Sequence, residues 1–226
     1  MRGRGTPATR LMLGMVIAID GPAGAGKSTV AKGVAGALGF TYLDSGAMYR
    51  AVALAALERG IDPDDGERLG ELAWGLDIDF DGDTIRLDGK PVEGRIRSPE
   101  VTVAASRVSV HPQVRQAMVK RQRELIAAGN YVAEGRDIGT VVSPDSPLKV
   151  FLTADETERA RRRAADSGEP VDDVREAMRD RDRRDQERAD SPLRQAEGAF
   201  YVDTTDLTPE QVIERIADTA REKGIA

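Results

Sequence analysis

The 226-residue sequence has no cysteine and a single histidine, His111. Without thiols there are no disulfides, thiolate metal sites or cysteine nucleophiles. His111 has no second imidazole with which to share a metal or a triad, and before Pro112 it reads as a polar residue opening a helix. Asparagine also occurs once, at Asn130, and Tyr131 follows it, so the guanine-reading N-K-x-D motif of a switch GTPase is missing. Asp79-Phe80-Asp81-Gly82 does match the D-x-x-G switch pattern, but it falls in an expected hairpin turn. No run approaches the 18 or so apolar residues of a membrane span. The positive excess usual in nucleic-acid binders is absent too, since the net charge is −6. Neither membrane nor nucleic acid is expected as a partner.

What remains is a chain long enough for one α/β domain with a smaller inserted subdomain. Arg2, Arg4 and Arg10, with no acid among them, precede the apolar run Leu11–Ile19, and Ala23-Gly24-Ala25 imitates a signal-peptide cleavage site. Cleavage there would destroy the glycine-rich loop described below. Residues 1–14 therefore read as a flexible extension, 15–19 as a buried strand, and the location as cytoplasmic.

Short apolar runs alternate with helical segments, the pattern of a parallel sheet covered by helices. Strands are expected at Met15–Asp20, Phe40–Asp44, Tyr131–Glu134, Leu148–Thr153 and Ala199–Asp203. Their nearly continuous apolar runs suit a sheet covered on both faces. Lys27–Leu38 places Val30, Val34 and Leu38 on one helix face. Asp155 with Glu158 starts a helix through Ala165, and Thr208-Pro209-Glu210-Gln211 is a capping box opening the last helix. Residues 61–128 differ in pattern. Leu76–Phe80 and Thr84–Leu87 alternate like antiparallel strands around Asp81-Gly82-Asp83, Asp88-Gly89 follows, and Ser98-Pro99 and His111-Pro112 open two helices. This region is expected as an insertion between the second and third main strands of one domain spanning 15–226.

GPAGAGKS, Gly21 to Ser28, matches the phosphate-loop pattern G-x-x-x-x-G-K-[ST] between a strand and an amphipathic helix. Glycines let successive backbone N–H groups face a phosphate, and the helix N-terminus adds partial positive charge. Gly21, Pro22, Ala23, Gly24, Ala25, Gly26, Lys27, Ser28 and Thr29 thus form the expected ATP site. Lys27 would bridge the β- and γ-phosphates and Ser28 would hold Mg²⁺. Asp20 and Asp44, at strand ends, are candidates to order the waters of that metal.

Arginine outnumbers lysine 27 to 6, and its placement is informative because guanidinium forks grip phosphates bidentately. LDSGAMYR (Leu43 to Arg50) and AEGRDIGT (Ala133 to Thr140) each follow a strand, at the carboxyl edge where open α/β sheets bind ligands. Arg50 and Arg136 can therefore converge on a second phosphate. In the helix from about Val171 to Ala189, Val174, Met178, Arg181, Asp185 and Arg188 recur at spacings of 4, 3, 4 and 3 and share a face. By pattern alone, the charged half of that face fits a polar cleft or a solvated surface with ion pairs.

GPAGAGKST, LDSGAMYRA, AASRVSVHPQVR, AEGRDIGTVV, LKVFLTA and RDRDRRDQERADSPL, in this order, resemble bacterial cytidylate kinase from about Met15 to the C-terminus. The N-terminal extension departs from the family but touches no motif. The resemblance implies a nucleoside monophosphate kinase fold: a five-stranded parallel sheet covered by helices, an inserted α+β subdomain over 61–128, and a mobile lid with its following helix over about 155–190. It implies ATP as phosphoryl donor, Mg²⁺, and CMP or dCMP as acceptor. By similarity Ser45, Arg50 and Arg136 hold the acceptor phosphate; Ser106, Arg115, Asp137 and Arg188 face the cytosine; Arg181 and Asp185 face the ribose. Arg162 and Arg163 would close over the transferring phosphoryl, leaving Arg159 and Arg161 on the surface. A monomer is expected. The rival readings are a kinase for another small acceptor, such as AMP or shikimate, and a P-loop ATPase that drives a partner.

Overall fold

A computed structural model describes residues 14–226; the extension expected over 1–14 lies outside the described residues except for Gly14. Five strands form one parallel sheet: β1 (Val16–Asp20), β2 (Thr41–Asp44), β6 (Tyr131–Gly135), β7 (Leu148–Thr153) and β8 (Phe200–Asp203), in the order β2-β6-β1-β7-β8. These are the five strands expected from the sequence, each within a residue of its expected ends. Every residue of β1 is buried, as befits the central strand.

Side chains alternate across a strand, so β1 feeds two cores. Ile17 and Ile19 pack with Val30, Val34, Val212 and Ile216 of α1 (Lys27–Leu38) and α8 (Pro209–Glu222). Val16 and Ala18 join the opposite core, with Leu43, Met48 and Val52. Met48 and Val52 belong to α2 (Ser45–Glu58), an almost wholly apolar helix buried along most of its length. Neither α2 nor α3 (Gly66–Gly75) carries a start signal singled out above, although Asp44 and Asp65 cap them by accepting from Ala47 N–H and Arg68 N–H.

The region 61–128 holds a separate antiparallel sheet of β3 (Ile78–Asp81), β4 (Thr84–Leu87) and β5 (Lys90–Pro91), with α4 (Pro99–Val108) and α5 (Pro112–Ile126) after it. The third strand is an addition to the expected pair. Asp88 and Gly89 both have positive φ, 50° and 74°, and link Leu87 to its partner Lys90 as a two-residue hairpin loop. The insertion shares the α2-side core through Ile78, Ile85, Leu87 and Met118. His111 opens α5 as expected but without capping it; its Nε2 lies 2.9 Å from the Pro63 carbonyl oxygen.

The helix after β7, α6 (Glu156–Ser167), starts at Asp155, which accepts from Thr157 and Glu158 N–H. It forms a hairpin with α7 (Val171–Glu187), and the capping box at Thr208 and Gln211 is present on α8. No helix among the described residues is long and apolar enough to cross a membrane.

Candidate active site

In-register pairing aligns the carboxyl ends of three neighbouring strands, with Asp44 opposite Glu134 and Asp20 opposite Gly135. From this edge emerge the glycine-rich loop after β1, Ser45 after β2, and Arg136-Asp137 after β6. The two motifs expected to meet the donor and the acceptor thus leave adjacent strands.

The donor loop ends at Gly26, whose φ of 82° suits glycine and beside which a Cβ would meet only open space. Lys27 is buried and donates from Nζ to the Pro22 carbonyl at 2.7 Å. Burial pushes its amine down to about 7; Arg136 and Arg181 add to that, while Glu134 and Asp182 oppose it. Ser28 and Thr29 are exposed at the first turn of α1. An accessible hydroxyl beside an open, cationic cradle fits a magnesium-bound polyphosphate.

Of the strand-end carboxylates, Asp20 and Asp44 are both occupied by the backbone. Asp20 accepts from Ile138 and Gly139 N–H, each at 2.8 Å, and Asp44 caps α2 through Ala47 N–H at 2.8 Å. Glu134 was not singled out from the sequence, yet it is the acid nearest in character to a site residue. It is buried, accepts from the Tyr42 hydroxyl, and its carboxyl is pushed up by burial and by Asp44 against the pull of Lys27. Its position before Arg136, in register with Asp44, was the available signal.

On the acceptor side the structure brings cations together. Arg136 donates to Asp185 Oδ2 at 2.9 Å, and Arg50 lies 3.8 Å from Asp44 Oδ2. Arg181 is pushed down to about 9 by burial and by the charges of Arg136 and Arg50, and its Nε is buried without a partner. Burial alone would raise the Asp185 carboxyl, but Arg136, Arg181 and Arg188 hold it below the usual range. The charged face of α7 is therefore a cleft wall, which resolves the alternative left open by its spacing. Ser45 is buried beside this group and donates to the Glu134 carbonyl at 2.6 Å.

Asp137 sits between two buried guanidinium groups. Arg115, on α5, donates to Oδ2, and Arg188 Nη2 lies 3.8 Å from Oδ1. Arg115 Nε, Arg188 Nη2, Ser106 Oγ and Tyr49 Oη are all buried without hydrogen-bond partners. Tyr49 packs its ring beneath the Arg115 guanidinium at 5.5 Å. Buried polar atoms are rarely left unpaired, so a cluster of them marks a place for a polar ligand.

The arginines of α6 divide differently from the expectation. Arg161 is exposed on Glu158, as anticipated. Arg159 is not a surface residue: its side chain is 12% exposed and donates to Ala23 O at 2.9 Å and Asp182 at 2.5 Å. Apolar periodicity cannot single it out in a helix where only Ala160 and Ala164 are buried. Arg162 is tied to Glu158 at 2.8 Å and to Thr204 at 2.9 and 2.7 Å, and Arg163 is exposed. Among the described residues neither makes a polar contact with the glycine-rich loop.

A family model for cytidylate kinase matches residues 17–222. The chain is 50% identical over 210 residues to the cytidylate kinase of Caldanaerobacter subterraneus subsp. tengcongensis, covering 91% of this chain and 94% of that one. It is 49% identical over 216 residues to the cytidylate kinase of Solibacter usitatus, covering 92% and 93%. A gluconokinase structure from Sinorhizobium meliloti superposes with a TM-score of 0.52 over 94% of this chain and 95% of the other, at 14% identity, and supports the fold alone. The match spans the phosphate loop, both arginine-bearing strand ends and α7, and the chain belongs to the cytidylate kinase family.

Proposed function

We propose that this protein transfers the γ-phosphoryl group of ATP to CMP, and to dCMP, giving ADP and the corresponding diphosphate. The observation that carries the reading is the pooling of Lys27, Arg50, Arg136 and Arg181 at one sheet edge, where burial and neighbouring guanidinium groups push Lys27 and Arg181 down. Arg136 and Arg50 have the Asp185 and Asp44 carboxylates at 2.9 and 3.8 Å, and the cluster as a whole offers several cationic donors to phosphate chains that meet there. Ser45, Arg50 and Arg136 hold the acceptor phosphate, and Arg181 and Asp185 the ribose.

The base pocket is complementary to cytosine. Its exocyclic amine donates and its ring N3 and O2 accept. Asp137 supplies the acceptor, and the unpaired Arg115 Nε and Arg188 Nη2 supply donors, with Ser106 beside them. Uracil would turn a carbonyl oxygen toward the carboxylate.

An oxygen of the CMP phosphate attacks the γ-phosphorus in line as the bond to the β-phosphate oxygen breaks. That oxygen is already largely ionised, so no general base is needed. Catalysis consists of positioning and charge neutralisation by Lys27 and the arginines. Ser28 would hold Mg²⁺, which when bound neutralises charge on the β- and γ-phosphates. Arg162 and Arg163 are assigned to a lid over about 155–190 that closes over the transferring group, with 61–128 as the monophosphate-binding insertion. The reading taken with this assignment is a cytoplasmic monomer. Initial rates of ADP release with CMP, dCMP, UMP, AMP, shikimate or no acceptor test the proposal. CMP and dCMP should give the highest kcat/KM, and equal release without an acceptor would refute it.

A further inference from the structure

Ala23, the third residue of the glycine-rich loop, has both of its backbone polar groups held by the α6–α7 hairpin. Its N–H donates to Asp182 Oδ1 at 3.1 Å, and its carbonyl accepts from Arg159 Nη1 at 2.9 Å. The same Nη1 donates to Asp182 Oδ2 at 2.5 Å, and Arg159 Nε donates to the Ala154 carbonyl, just past β7, at 3.2 Å. The two side chains are 12% and 11% exposed. Ala23 also packs with Ala164, Val174 and Met178. A Cβ on Gly24 would come within 2.8 Å of the Arg159 carbonyl oxygen and of Met178 Cε, so the hairpin rests directly on the loop.

A nearly buried ion pair adds little stability over an apolar pair of the same volume, because desolvation offsets attraction. This pair spends its hydrogen bonds on one residue of the phosphate loop, which gives it a different use. Asp182 also lies between Arg181 and Asp185 on α7, so one helix carries both the loop-holding carboxylate and the residues assigned to the acceptor. We infer that Arg159 and Asp182 are positioning residues, which fix the loop in its phosphate-binding shape and tie it to the acceptor-binding face of α7. Neither touches a reacting atom. The inference rests on the proposed function only in that the loop binds ATP.

The test measures ADP and ATP binding by calorimetry without any acceptor, so it stands even if CMP proves not to be the acceptor. The variants are Arg159→Lys and Asp182→Asn, which keep most of the volume, together with Arg159→Ala and the double change Arg159→Ala/Asp182→Asn. Asparagine still accepts from Ala23 N–H but withdraws the charge that holds Arg159. Nucleotide affinity should fall about tenfold in Arg159→Ala and in Asp182→Asn, and less in Arg159→Lys. The double variant should be no worse than the poorer single one, because the pair acts as a unit. Where turnover is measurable, KM for ATP should rise about tenfold while KM for CMP stays within threefold. Nucleotide affinities within twofold of wild type in folded single variants would overturn the inference. So would additive losses in the double variant, or equal rises in both KM values.

Discussion

Asp137 accepts from Arg115 at one oxygen and has Arg188 3.8 Å from the other, and all three side chains are nearly inaccessible. Removing the carboxylate would leave Arg115, 1% exposed, without its counter-charge, at a cost of about 3–5 kcal/mol in stability. Both Asp137→Ala and Asp137→Asn remove that charge, but the amide keeps an oxygen that accepts from Arg115 and most of the volume, so Asp137→Asn is the more informative change. A base-edge contact of this kind discriminates by about 1–3 kcal/mol, or about 5- to 150-fold. Asp137→Asn should lower kcat/KM for CMP by that factor and for UMP much less, since an amide can donate to the uracil carbonyl. Arg136→Ala removes the guanidinium proposed to hold the acceptor phosphate, which both nucleotides carry, and should lower the two alike. Equal losses of CMP and UMP turnover in Asp137→Asn would show that this carboxylate does not read the base.

At the scale of elements, the turn after Arg136-Asp137 is a single π-helical turn over Ile138–Val142, held by Asp20 from the end of β1. Burial pushes the Asp20 carboxyl up to about 6; the two N–H bonds and Lys27 pull the other way, and Asp137 adds to the rise. A native value above the unfolded one means that the folded protein takes up the proton first. The contribution of Asp20 to stability therefore worsens as pH rises from about 4 through about 6. Protonation also removes an acceptor from the π turn. The amide resonances of Ile138 and Gly139 should move with a midpoint near 6 and stay flat in Asp20→Asn. A flat wild-type titration down to about pH 5 would contradict that coupling.

The π turn shows why some elements were hidden in the sequence. Ile138, Val141 and Val142 are β-branched and fit a strand pattern, and the partner that bends them lies 118 residues away. The capping box at Thr208 was legible because both of its hydrogen bonds close within four residues. The glycine-rich loop and the strands were legible for the same local reason. Arg159 was not, because α6 carries four arginines and only the approach of the loop distinguishes one from the next. Glu134 was overlooked as the last polar residue of an apolar strand. The sites of Asp137 and Arg115 came from family resemblance rather than spacing, since Arg115 on α5 and Asp137 after β6 meet only in the folded chain.

Across the whole molecule, a parallel sheet with β1 at its centre delivers the donor loop, Ser45 and Arg136-Asp137 to one edge. The insertion contributes Ser106 and Arg115, and α7 contributes Arg181, Asp185 and Arg188. In the proposed reaction, donor and acceptor would approach this cationic centre from opposite sides. In the proposed mechanism, closure of the lid assigned to about 155–190 would exclude the water that otherwise receives the phosphoryl group. The most direct measurement is ³¹P NMR of the protein with magnesium and ATP, in the presence and absence of CMP. With CMP, ADP and CDP should accumulate in equal amounts with little orthophosphate, and without CMP the ATP signals should persist. Orthophosphate released at the same rate in both samples, with no CDP, would contradict the account.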